Sequence, residues 1–166
     1  MSGIEILGPR FKDITKQCTF SWGVNPTGIT AGTFDDIIDG NHTTKLEFYG
    51  TFSGAVSQAQ LQCNLPYPCT FVVFPDMGVG AQIGADASAY REAKCDLSLS
   101  SERIPTNWNN FLRTHSSTVM STRFARSYIG FPSTYGDAFR FIFYSNTAGD
   151  FAFEIYTINI LELVGI

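Results

Sequence analysis

The sequence predicts an all-β chain: a single antiparallel β-sandwich of the jelly-roll type. Three observations carry that expectation. Apolar and polar residues alternate at period two along several runs, which places one face of each run in a core. Clusters of turn-forming residues interrupt the runs at short intervals: GVNPTG, IDGN, NLPYP, PDMGVG, ERIPTN, FPSTYGD and SNTAGD. The composition, with 15 Phe, 7 Tyr and 15 Gly against 11 Lys and Arg together, favours strands and turns over helices.

The length of 166 residues fits one domain spanning 1–166, with residues 1–16 as an N-terminal arm. A chain of that size buries a core without covalent staples. A hydrophobic content of 44% excludes a disordered chain, and a charged content of 16% lies below the usual quarter.

The strands are read in chain order. KLEFYGTF sets Leu46 and Phe48 against Glu47 and Tyr49. TFVVF is short and apolar. AKCDLSLS places Cys95, Leu97 and Leu99 on one face. AFRFIFYS places Phe139, Phe141 and Phe143 on one face, with Arg140 and Tyr144 on the other. DFAFEIYTINILELV alternates again from Phe151, Phe153 and Ile155. The one helix-like stretch, Asn107 to His115, is short.

Several function classes are disfavoured. The net charge of −4 and the lack of a basic cluster argue against nucleic acid. No apolar run approaches the roughly 18 residues of a membrane span. The start has no basic region leading into a long apolar stretch, so no signal peptide is expected. Cys18, Cys63, Cys69 and Cys95 allow three pairings, and the spacing of Cys63 and Cys69 is wrong for a zinc knuckle. Without a secretory signal, buried thiols are favoured over bridges. His42 and His115 are the only histidines; no G-x-S-x-G elbow is present, and neighbours i and i+1 do not face one another. GVGAQIG lacks the lysine and the following helix of a phosphate loop. No residue is assigned a catalytic role.

Three stretches, taken in order, resemble one family. They are FDDIIDGNHTTKLEF near the start, YREAKCDLSLSSERIPTNWNNF in the middle and AFRFIFYSNTAGDFAFEIYTINILELVGI at the end. They are similar to the acidic-glycine turn and strand, the serine-rich turn with its tryptophan, and the closing strands of discoidin domains, also called coagulation-factor C-type domains. The resemblance runs from about Phe20 to Gly165 and implies a galactose-binding-like jelly roll. It departs from the family in the aromatic RFIFY strand, the long segment 114–133 and the absence of a tryptophan after the DGN turn.

The resemblance also implies a structural calcium ion at the turn. A hard cation takes six to eight oxygens. Asp39 would give a carboxylate, Asn41 an amide or carbonyl oxygen and Thr44 a hydroxyl, with Glu162 of the closing strand completing the set. The competing reading needs no metal: Asp and Asn bond to nearby backbone, and Gly40 permits positive φ, so DGN closes a tight turn by itself. Asn41-His42-Thr43 matches a glycosylation sequon and is read as chance.

Two ways of acting remain. Sugars are bound by aromatic faces with a few fixed polar groups; Trp22, Trp108, Arg123, Arg126 and Tyr128 are the candidates, with core or rim packing as the plainer reading of each tryptophan. Alternatively, a weakly charged, aromatic sandwich suits assembly. The main expectation is a structural or adhesion component of a virus particle, a phage tail, baseplate or capsid accessory made in the host cytoplasm, partnered by virion proteins or by its own copies as a homo-oligomer. The alternative is a carbohydrate-binding module.

Overall fold

The structure is a computed structural model. It describes the backbone of residues 10–52, 59–82, 90–100, 109–120, 125–128, 131–145 and 149–165, and the side chains of residues 10–51, 59–78, 133–143 and 149–165. The strands among these are β1 (Arg10–Asp13), β2 (Thr19–Val24), β3 (Gly28–Ala31), β4 (Leu46–Phe52), β5 (Ala59–Gln82), β6 (Tyr90–Ser100), β7 (Asn109–Met120), β8 (Ala125–Tyr128), β9 (Phe131–Ser145) and β10 (Gly149–Gly165).

Every pairing is antiparallel, and spatial neighbours are distant in sequence: β10 lies between β4 and β5, and β9 lies between β5 and β6. That order is what a jelly roll requires.

Strand β5 makes the sheet into two layers. Its first part, Ala59 to Asn64, runs between β2 and β9. Its second part, Phe71 to Gln82, runs along β10. Between them the β9 ladder jumps from Asn64↔Ala138 to Cys69↔Gly136. Pro66 and Pro68 fall in this gap. Neither has an N–H to donate, so the ladder cannot continue and the strand bulges and bends. The sequence reads NLPYP, PDMGVG and FPSTYGD as turns; the structure keeps all three within long strands and uses the first as a corner.

Asn109–Met120 is a second correction. It is strand β7, paired along its length with β6. Its second half, THSSTVM, carries Thr and Val, which suit strands. The waiting edge of β6 overrides the weak local helix preference.

The core is aromatic. Phe139, Phe141 and Phe143 of β9 and Phe151 and Phe153 of β10 are all buried, as their alternation predicts. Phe48 of β4 meets Phe143 of β9 edge-on at 5.0 Å and stacks on Phe153 at 5.6 Å. Phe143 and Phe153 are 5.1 Å apart. These rings join the β4–β10 layer to the β9 layer. Such pairs add about 0.5–1.5 kcal/mol each beyond the area they bury.

Candidate functional site

The described polar features gather around the outer surface of β10, where two short 3-10 turns approach it. The first turn, Thr15–Gln17, follows β1, which pairs with the end of β10. Ile14 N donates to Ile160 O at 3.0 Å, and Ile160 N donates to Thr15 Oγ1 at 2.8 Å. Asp13 Oδ1 accepts from Thr15 N at 2.9 Å and closes the turn.

The second turn, Phe34–Ile37, explains the acid-rich stretch. Asp36 Oδ2 accepts from Thr33 N at 2.7 Å, satisfying a donor at the turn's start. Ile37 is buried beneath it. Asp39 then closes the next turn. Its Oδ1 accepts from Asn41 N at 2.7 Å and its Oδ2 from Thr44 Oγ1 at 2.6 Å. Gly40 between them has φ +76°, a conformation that few other residues adopt. The Thr44 hydroxyl, the Asn41 N–H and the positive charge of Lys16 hold the Asp39 carboxyl below its ordinary value.

The expected cage divides. Three acceptor oxygens surround the Thr44 hydroxyl: Asp39 Oδ2, Asn41 O at 3.1 Å and Asp36 O at 3.4 Å. One hydroxyl hydrogen serves only one of them at a time, so the site is rich in oxygen, as a hard cation prefers. The side chain of Asn41 is turned away: its Oδ1 accepts from Thr43 N at 3.0 Å and from Thr43 Oγ1 at 2.7 Å. Asn41 could therefore offer its backbone carbonyl. Glu162 stands apart from the turn and accepts a hydrogen bond from Tyr67. It shares a strand face with Ile158 and Ile160, both buried, whereas Asn159 faces the turn. Among the described residues, no three side chains from His, Cys, Asp and Glu converge on one point.

His42 has a partner that the sequence hides. Its Nδ1 lies 2.5 Å from Asp76 Oδ2. Asp76 is buried and belongs to β5, opposite Thr157 of β10. The turn reading of PDMGVG gives Asp76 no fixed direction, and strand geometry supplies it.

A cleft of about 410 Å³ opens between the Thr15–Gln17 turn and the turn at Asp39 and Gly40, with Asn159 of β10 also lining it. Asp13, Lys16, Gln17 and Asp39 supply polar side chains to the lining, and Ile38 supplies an apolar one. Sequence reasoning finds only Asp39 among these, because the cleft is assembled from three separated segments. Nearby on the same surface, Lys45 Nζ bridges Glu47 (2.7 Å) and Glu154 (2.9 Å), which oppose one another across β4 and β10.

The sugar candidates are dispersed. Trp22 of β2 is half-buried at the core's rim, its ring 5.0 Å from Phe48 and 5.6 Å from Phe34. Trp108 and Arg123 lie outside the described residues. Arg126 and Tyr128 are on β8, opposite Gly78 and Asp76, and their side chains lie outside the described set. The side chains of Cys95 and His115 do as well. Cys18, Cys63 and Cys69 are buried free thiols. Burial raises the Cys63 thiol well above its ordinary value and pushes Cys69 up to about 11.

No family model matches the chain, and no curated protein matches its sequence. Solved structures do resemble it. One is chitosan-binding module 1 from a chitosanase/glucanase of Paenibacillus sp. IK-5, with TM-score 0.54 and 15% identity over 90% of this chain and 98% of that one. A second is the family 32 carbohydrate-binding module of Clostridium perfringens NanJ in complex with galactose, with TM-score 0.54 and 13% identity over 92% and 100%. A third is an F5/8 type C domain from Bacteroides fragilis, with TM-score 0.52 and 17% identity over 92% and 97%. At such identities the likeness establishes the fold alone: an all-β antiparallel sandwich.

Proposed function

We propose that this chain is a non-catalytic carbohydrate-binding domain. The observation that carries the reading is its likeness, over nine-tenths of its length, to sandwiches described as binding chitosan or solved with galactose. A further Clostridium perfringens module with the same fold, at TM-score 0.51 and 11% identity, was solved with GalNAc-β-1,3-galactose. None of these likenesses points to a virion component, so glycan binding displaces assembly as the leading reading.

Trp108, Arg123, Arg126 and Tyr128 remain the proposed ligand-binding residues, with Trp22 as a supporting rim residue. A glycan array tests this, comparing the parent with Trp108→Ala and Arg126→Ala. The expected result is selective binding that each substitution weakens while melting temperature holds. An array without a single bound glycan would remove the proposal. Trp22→Ala is a poor test alone, because its ring packs on Phe34 and Phe48 and its loss costs fold stability.

We also propose a structural calcium ion at the Asp39 turn. Asp39, Thr44 and the backbone carbonyls of Asp36 and Asn41 would hold it, with water filling the remaining positions; Glu162 would take no part. The ion would fix the turn and supply no chemistry to a ligand. Saturating calcium should raise the melting temperature, by the mass-action stabilisation of the folded state. Thr44→Val and Asp39→Asn should abolish the increment.

A further inference from the structure

We infer that the cleft between the Thr15–Gln17 and Asp39–Gly40 turns binds the hydroxyl groups of an uncharged sugar unit, at a site separate from the proposed aromatic and arginine residues. The inference rests on the carbohydrate-binding reading and adds to it a second region of contact.

The volume of about 410 Å³ lies within the range of roughly 300–1,000 Å³ typical of small-ligand sites. Among the described residues no aromatic side chain lines it, so recognition by these groups is by hydrogen bonds. Each sugar hydroxyl donates one hydrogen bond and accepts up to two, so a site for it needs donors and acceptors side by side.

The cleft supplies both. Asp13 keeps Oδ2 available while Oδ1 holds the turn. Lys16 offers an ammonium, and Gln17 and Asn159 offer amides that donate and accept. Among the described residues, the side chains of Lys16, Gln17 and Asn159 have no hydrogen-bond partner. At the rim, a Cβ built on Gly40 would meet nothing within 4 Å, so the mouth is open there.

The balance of charge selects the ligand. With Asp39 given to the proposed calcium ion, the Asp13 carboxylate and the Lys16 ammonium balance one another in the lining, so neither an anionic nor a cationic ligand gains net attraction. A charged ligand would meet a like charge in one of these two groups, and a neutral polyol satisfies both. The walls are held before any ligand arrives: Thr15 is buried and tied to Ile160, and Asp39 is tied to Asn41 and Thr44. Such pre-organisation lowers the ordering cost of binding.

The test is a nuclear magnetic resonance titration of the full chain with methyl galactoside, methyl glucoside and glucuronate, in one calcium-containing buffer. The inference predicts saturable shifts of the Asn159 and Gln17 side-chain amide signals with a neutral glycoside, and weaker shifts with glucuronate. Asn159→Ala and the exposed-site variant Lys16→Ala should each weaken that binding by ~5-fold or more, with melting temperature held within a degree or two. Saturable shifts confined to other residues, with affinity unchanged in both variants, would overturn the cleft and leave the glycan reading standing. No saturable shift anywhere, together with an empty glycan array, would overturn both.

Discussion

His42 Nδ1 and Asp76 Oδ2 stand 2.5 Å apart, tying an exposed turn to a buried carboxylate in the strand beneath it. The two residues are 34 positions apart, and each looks unremarkable in its own stretch of sequence. Together they fix the loop that carries Asp39, Asn41 and Thr44. His42→Ala would leave Asp76 without this partner in a nearly water-free setting, at a cost of about 1–3 kcal/mol. Thermal unfolding should show a lower melting temperature in His42→Ala, and calcium stabilisation should shrink with it.

Lys45 separates two carboxylates that would otherwise face each other. Glu47 and Glu154 are directly opposed across strands; their hydrogen bonds raise the pKa of Lys45, and the Lys45 ammonium lowers that of Glu47. In Lys45→Met the two acids repel, and one of them binds a proton more readily when folded than when unfolded. The variant should therefore be destabilised at pH 7 and recover part of the loss near pH 5, whereas the parent should show no such recovery. Urea unfolding at the two pH values decides it.

Acid should weaken the parent protein in a defined window. The folded-state values of Asp39 and Glu47 lie below their ordinary 3.8 and 4.5. A lowered carboxylate contributes stability above its ordinary pKa and loses it as pH falls through the lowered one. Stability should be level above about pH 5 and decline below about pH 4. Thr44→Val removes the largest cause of the Asp39 shift and should make the decline shallower.

Alkali should act at the other end of the core. The hydrogen bond to Glu162 pushes the Tyr67 phenol up to about 12, and Cys69 lies near the same carboxylate. A raised acid contributes stability below its ordinary value and loses it as pH rises through the folded one. Stability should fall between pH 10 and 12, and Tyr67→Phe should blunt that fall. Absorbance near 295 nm would follow the phenol directly.

Much of the fold is legible in the sequence because alternation records burial. Phe139, Phe141 and Phe143 declare a core face with no help from neighbours. The segment NLPYP reads as a turn because proline marks the loss of a backbone donor, and local sequence does not say whether a turn or a bulge follows. The choice is made by Ala138 and Gly136 of β9, some 70 residues away. Asn109–Met120 is settled in the same manner by β6. At the site, Asp39, Asn41 and Thr44 are close in sequence and could be read as one unit. The pairing of His42 with Asp76, the diversion of Glu162 to Tyr67 and the grouping of Lys16 with Asn159 depend on strand register, which the local pattern leaves open.

Isothermal titration calorimetry against a panel of neutral galactose- and N-acetylglucosamine-containing oligosaccharides tests the carbohydrate-binding account most directly. The account predicts saturable, single-site heats for at least one oligosaccharide and no change in that sugar after prolonged incubation. Absence of binding across the panel by a folded protein, or cleavage of any sugar in it, would contradict the account.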